Sequence, residues 1–212
     1  MVEHERSPLP AWAVERSSHV LKDRWISVRA DTCRTDEGAL LDPFYVLEYP
    51  DWVIVIALDA NDNVVLVEQY RHGWGITSLE VPTGGIEPDD DDVIAAARRE
   101  LEEETGFISG DWQLVASLAP NPSNQSNRCH VALARNARLG GTPENNPTER
   151  VRISLLPIDD VAELARNGGI IQSMHVAALA LALTSIGRWL PASKQPHPSR
   201  YDKPLLAAET LR

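Results

Sequence analysis

The sequence predicts an α/β protein, and three observations carry that prediction. Apolar runs of strand length fill the stretch from Trp25 to Arg71. One sharply capped helical stripe follows at 93–104, and two more helical patterns lie at 156–167 and 174–190. At 212 residues the chain has the length of one ordinary domain with a small extension. An apolar fraction of 43% and a charged fraction of 24% are ordinary for a globular protein and exclude disorder as the main state.

Taken in order, residues 1–18 hold Pro8 and Pro10 and no clear apolar period, and read as a mobile arm or a short leading strand. The alternation from Trp25 to Cys33 predicts a strand, closed by the turn chemistry of Thr35-Asp-Glu-Gly. Phe44 to Tyr49 is the next, stopped by Pro50. Trp52 to Leu58 is continuously apolar, as a strand buried on both faces should be. Asp59-Ala-Asn-Asp-Asn turns the chain into Val64 to Arg71, so these two strands form a hairpin. Leu79-Glu-Val-Pro is a short extended piece and Thr83-Gly-Gly a flexible turn. Asp89 to Asp92 offer N-caps to the helix at 93–104, and Gly106 fits the position that ends it. Strands follow near 112–119 and 129–135, then helices from Leu156 to Asn167 and from Met174 to Leu190, the second with Gly187 late in it. The tail from Pro191 has the composition of a poorly ordered segment.

Several functions are excluded at this level. The longest strongly apolar run, Ala177 to Leu183, is far below the ~18 residues that span a bilayer. The balance of 20 basic against 31 acidic residues argues against nucleic acid and anionic membrane as partners. A small anionic substrate remains open, provided a metal ion offsets the repulsion. The opening residues lack the order of a secretion signal, and two cysteines, Cys33 and Cys129, give no disulfide scaffold. A cytoplasmic location is expected.

The informative segment is the end of the first helix. Glu100, Glu102, Glu103 and Glu104 fall within five residues. At 100° per residue Glu100, Glu103 and Glu104 share one face and Glu102 points away. A glutamate run alone reads as a solvated face. Here, however, like charges repel at a helix C-terminus, where the macrodipole also disfavours anions. Arg98 and Arg99 are the nearest cations and are expected not to neutralise that face. A hard divalent cation would resolve the conflict.

The spacing of the segment resembles the Nudix box. Gly85, Arg99, Glu100, Leu101, Glu103, Glu104, Gly106 and Phe107 all match its pattern. Six of these positions require one residue type, and chance agreement is on the order of 10⁻⁷ per starting point. Asp91 stands where the family has glutamate, with Asp90 and Asp92 as alternatives. Val67-Glu-Gln-Tyr-Arg71, Leu79-Glu-Val-Pro-Thr-Gly-Gly-Ile-Glu-Pro88 and Pro122 resemble the ADP-ribose pyrophosphatase branch. The resemblance implies an α/β/α Nudix sandwich with a mixed sheet and an N-terminal β-strand extension. It divides the chain into N-terminal arm and dimerisation strands (1–50), a Nudix domain (51–187) and a flexible tail (188–212). It further implies a homodimer whose N-terminal strands help build the partner's substrate site.

The same resemblance distributes the roles. Glu100, Glu103 and Glu104, with the Gly84 carbonyl, would hold Mg²⁺, or Mn²⁺ in its place. Arg99 would hold the glutamates in position. Arg71 would bind the diphosphate, with Glu80 beside it in the substrate-binding set, and Trp74 between Gly73 and Gly75 would stack on the base. Glu149 falls at the place of the branch's general base, with Glu144 its neighbour and Glu103 the fallback; Asn127, at the other loop position, cannot act as one. Trp52 is expected in the core, and His72 and His130 away from any metal. The implied activity is hydrolysis of a nucleoside diphosphate linked to another moiety, ADP-ribose first. A nucleotide sugar, a dinucleotide, or a silent nucleotide-sensing module are the alternatives.

Overall fold

The structure is a computed structural model that describes residues 9–144 and 150–189. Its contacts divide the chain into two units, Met1–Pro50 with Ala119–Asn127, and Asp51–Leu118 with Arg128–Arg212.

The N-terminal unit is an antiparallel sheet of β1 (Ala13–Lys22), β2 (Ser27–Arg34) and β3 (Leu40–Glu48), in that spatial order. The stretch read as an arm or leading strand thus ends in a ten-residue strand. The Asp23 carboxylate accepts from the Trp25 and Ile26 amides at 2.7 and 3.0 Å, which closes the first turn. Residues 119–127 join this unit through a bridge between Leu47 and Gln125.

The second unit is a mixed sheet between helices. Its elements are β4 (Trp52–Asp59), β5 (Asn63–Arg71), β6 (Ile76–Glu80), β7 (Thr83–Gly85), α1 (Val93–Thr105), β8 (Phe107–Ile108), β9 (Asp111–Leu118), β10 (Cys129–Leu139), β11 (Val151–Pro157), α2 (Ile158–Asn167) and α3 (Ser173–Ser185). The order is β11-β5-β4-β10-β8, with β6 on β5, β7 on β4 and β9 on β10. β4 and β10 run parallel, and the remaining pairs are antiparallel.

β4 explains the sandwich. Ile54, Ile56 and Leu58 pack into one core with α2 and α3, while Val53, Val55 and Ala57 face Ala96, Ala97 and Leu101 of α1. A strand buried on both faces has no polar side, hence the unbroken apolar run. α1 begins where the Asp92 carboxylate accepts from the Ala95 amide at 2.8 Å, and ends at Gly106, left-handed at φ 69°.

Three readings need correction. Thr83–Gly85 is a strand, β7, because β4 supplies its hydrogen-bond partners. Leu156 belongs to β11, and the helix begins only at Ile158; pairing with β5 holds Val151–Pro157 extended. The last helix stops at Ser185, with Gly187 left-handed at φ 71° beyond it. Of the flexible tail expected at 188–212, residues 190–212 lie outside the described residues, while Arg188 donates to the Asp62 carboxylate and Trp189 packs against the core.

Candidate active site

Glu100, Glu103 and Glu104 line one cavity of about 380 Å³ beside β7, and Glu102 is exposed on the far side of α1. The three meet β7 and Arg99 in different ways. Glu104 Oε2 accepts from the Thr83 amide at 3.1 Å. Glu100, buried, abuts Gly84 so closely that a Cβ there would lie 1.9 Å from its carboxyl carbon. A residue with a Cβ would displace the Glu100 carboxylate from this position, so glycine permits the approach.

Arg99 engages two of the three glutamates, in the role that the resemblance implies. Its Nη1 donates to Glu100 at 2.8 Å and to Glu103 at 3.1 Å, and its Nη2 donates to the Gly85 carbonyl at 2.8 Å. Nε and Nη2 also fork onto Asp90, at 3.2 and 3.0 Å. The Asp90 hydrogen bond, foremost, pushes the guanidinium pKa up against the opposing effect of burial. The same bond holds Asp90 below the usual carboxylate range. Asp90, rather than the exposed Asp91, thus reaches this arginine.

Arg71 lines both this cavity and a second one of about 640 Å³. Thr83, Gly84 and Gly85 also border both. Glu80 is 1% exposed, and both its oxygens are gripped by Arg71, at 2.9 and 2.6 Å. Burial works to raise the Glu80 pKa, but the Arg71 hydrogen bonds and charge hold it low. Trp52 and Trp74 line the second cavity, Trp74 half-exposed. Trp52 is therefore a wall residue as well as a core one, since its other side packs on the apolar cluster.

Glu149 lies outside the described residues. Its neighbour Glu144 lines the carboxylate cavity, and its amide donates to the Glu103 carbonyl at 2.8 Å. Asn127 is buried in the N-terminal unit and donates to the Pro50 carbonyl. His130 bonds Ser117 and His72 meets Tyr70 at a tilt, and neither lines the carboxylate cavity. Burial pushes the Cys129 thiol up to about 12, so it is inert. The sequence reading missed Asp90 as the arginine's partner, and it missed Thr83 and His175 altogether. Asp90 was visible as a candidate; the other two carry no local signal, because their roles exist only once β7 and α3 meet.

Comparison with known proteins identifies the family. The NUDIX domain profile matches residues 48–174, well over half the chain. The chain belongs to the Nudix family. Residues 12–47 match a second profile, the nucleoside diphosphate sugar hydrolase N-terminal domain. An ADP-ribose pyrophosphatase of Mycobacterium tuberculosis is 30% identical over 154 residues, 72% of this chain and 74% of that protein. The ADP compounds hydrolase NudE of Escherichia coli is 28% identical over 65% of this chain and 70% of its own. In fold, the Nudix chain is similar to a crystal structure of an ADP compounds hydrolase, with a TM-score of 0.76 at 22% identity, covering 86% of this chain and all of that one. This Nudix hydrolase thus sits in the ADP-ribose pyrophosphatase-like branch.

Proposed function

We propose that, among the nucleoside diphosphate derivatives that Nudix pyrophosphatases of this branch hydrolyse, ADP-ribose is the substrate of this chain, cleaved to AMP and ribose 5-phosphate. One observation carries the reading. An arginine with a planar fork, Arg71, stands between a cavity of carboxylates and a larger cavity walled by Trp52 and Trp74. A diphosphate bridging two groups requires that sequence of surfaces: anion clamp in the middle, aromatic wall to one side, hard oxygen ligands to the other.

The residues fit a divalent metal. Three carboxylates open on one cavity, and the absent side chain at Gly84 leaves its backbone against Glu100. Among the described residues no three acidic, histidine or cysteine side chains already converge into a cage, and Arg99 holds Glu100 and Glu103. Glu100, Glu103 and Glu104, with the Gly84 carbonyl, would hold Mg²⁺, or Mn²⁺ in its place. When bound, the metal neutralises the diphosphate and makes a coordinated water more acidic. Arg71 orients the diphosphate, and Glu80 keeps the guanidinium fork in one plane by taking both of its inner donors. Arg99 holds the glutamates in register with β7. Glu149 takes the proton of the attacking water, with Glu103 in that role if Glu149 lies too far away. Trp74 stacks on the base.

The protein works as a cytoplasmic homodimer on a small molecule, with neither nucleic acid nor membrane as partner. Among the described residues, no helix is long and apolar enough to cross a bilayer. A nucleotide sugar is the second reading, favoured by the profile matched at residues 12–47. The test is a panel of ADP-ribose, nucleotide sugars and dinucleotides incubated with Mg²⁺, with phosphate measured after adding a phosphatase. Highest kcat/KM with ADP-ribose, yielding AMP, supports the reading. Preference for a nucleotide sugar selects the second, and no Mg²⁺-dependent product from any member rejects both.

A further inference from the structure

His175 has no part in the chemistry above, yet it is 1% exposed and bonded to both ends of the corner between β6 and β7. The Val81 amide donates to its Nδ1 at 3.4 Å, and its Nε2 lies 3.2 Å from Thr83 Oγ1. The Thr83 hydroxyl donates its single proton to the Val81 carbonyl at 3.0 Å. It must therefore accept from Nε2, while Nδ1 must stay unprotonated to accept from Val81. One state satisfies all three bonds, the neutral imidazole protonated on Nε2. Burial pushes the His175 pKa down to about 4, beyond what the Glu80 carboxylate at 3.8 Å offsets, and Arg71 adds to the lowering. The ring is neutral at physiological pH.

The corner matters for what hangs on either side of it. Glu80 precedes it and grips Arg71. Thr83 follows it and donates to Glu104, and Gly84 backs onto Glu100. α3 lies on one face of the sheet and the carboxylate helix α1 on the other. We propose that His175 is a positioning residue that locks the Val81–Thr83 corner through Nε2–H and Nδ1, and so fixes the Arg71–Glu80 clamp relative to the Glu100–Glu104 carboxylates. The proposal rests on reading those carboxylates as the metal site. It acts through Thr83: a hydroxyl freed from His175 can turn, the corner loosens, and the amide aimed at Glu104 loses its direction.

The test uses the full chain and four variants, His175→Ala, His175→Gln, Thr83→Val and the His175→Ala/Thr83→Val pair. Mn²⁺ binding is followed by the electron paramagnetic resonance of free Mn²⁺ without substrate, and kcat, KM and melting temperature are measured beside it. Loss of a group that orients metal ligands costs about 10- to 100-fold. His175→Ala and Thr83→Val should each weaken Mn²⁺ binding and lower kcat by about 10-fold or more. The pair should lose clearly less than the two single losses combined, because both singles remove the His175–Thr83 bond. His175→Gln, whose amide can still donate to Thr83, should recover most of the loss, and with Thr83→Val it carries the test if the alanine variant does not fold. Additive losses in the pair overturn the proposal. So does a His175→Ala or Thr83→Val variant with lowered melting temperature but unchanged Mn²⁺ affinity and kcat, the signature of a merely structural residue. Failure of the unaltered chain to bind Mn²⁺ overturns the metal reading and this proposal with it, whereas the variant outcomes overturn this proposal alone.

Discussion

Glu100 and Glu104 lie one helical turn apart but answer to different neighbours, the guanidinium of Arg99 and the amide of Thr83. Glutamine at either position keeps an acceptor oxygen for that neighbour and removes one charge from a crowded helix end. Glu100→Gln and Glu104→Gln should therefore melt within a few degrees of the unaltered protein in the absence of metal. Hydrolysis should fall roughly 100-fold or more, since each loses an anionic ligand; turnover and calorimetry on the same samples check this, and full activity in both rejects the site. Glu149→Gln should lower kcat while leaving KM nearly unchanged, because a base acts in the transition state. An unchanged kcat there, with a loss in Glu103→Gln, moves the base onto α1. His175 makes a prediction about acid. Its pKa is about 4 folded against an ordinary 6.5, so between those values the unfolded chain binds a proton that the native state refuses. That contribution is complete above pH 6.5 and lost as pH falls towards 4, about 3 kcal/mol over the whole window. Urea midpoints at pH 7 and 4.5 should differ less in His175→Gln than in the unaltered protein, and equal differences reject the assignment.

At the scale of elements, the joint between β7 and α1 makes the site, and one glycine permits it. A methyl at Gly84 would meet the far end of the Glu100 side chain rather than backbone, so the chain can yield by swinging that carboxylate away. Gly84→Ala should then lose most of its turnover and Mn²⁺ affinity while its melting temperature moves little. A large stability loss, or intact metal binding, contradicts the close approach. This joint also marks how far the sequence could be read. The ligand helix was legible because its determinants are local: an apolar stripe, the Asp92 cap, Gly106 at the end, and a face of glutamates on a recognisable spacing. β4 and β5 were legible for the same reason. β7 was not, because Thr-Gly-Gly has turn chemistry and becomes a strand only against Trp52–Ile54. β11 was hidden because its half-exposed residues carry weak alternation and Leu156 leads smoothly into the helix pattern. The last helix was read too long because Ile186 and Trp189 still pack on the core after the helix has ended. The further partners of Arg99, Asp90 and the Gly85 carbonyl, were hidden because they depend on a loop whose path the sequence does not state.

At the scale of the whole molecule, the N-terminal sheet raises a question of cover. Every residue of β1 is exposed, with Val14, Val20 and Leu21 at 58%, 57% and 49%. Trp25 is 74% exposed and Tyr45 51%. A three-stranded sheet whose outer strand, among the described residues, has one edge without a partner is a template for association and is marginal alone. Isolated exposed hydrophobics need no explanation, but four on this small sheet, with Trp25 in the turn between β1 and β2, are a concentration that an interface would cover. A second copy of the chain is the economical occupant, because a two-fold contact covers the same strand in both subunits at once. Sedimentation of the full chain should give a dimer at micromolar concentration. Successive residues of a strand project to opposite faces, so Val20→Asp together with Leu21→Asp places a charge on each face, whichever one is used. That variant should sediment as a monomer. If the N-terminal strands help to close the partner's substrate site, it should also lose selectivity for ADP-ribose over other nucleoside diphosphate derivatives, measured as the ratio of kcat/KM values, while Mn²⁺ binding at the carboxylates persists. A monomer in the unaltered protein, or a monomeric variant with its selectivity intact, removes the second copy from the site.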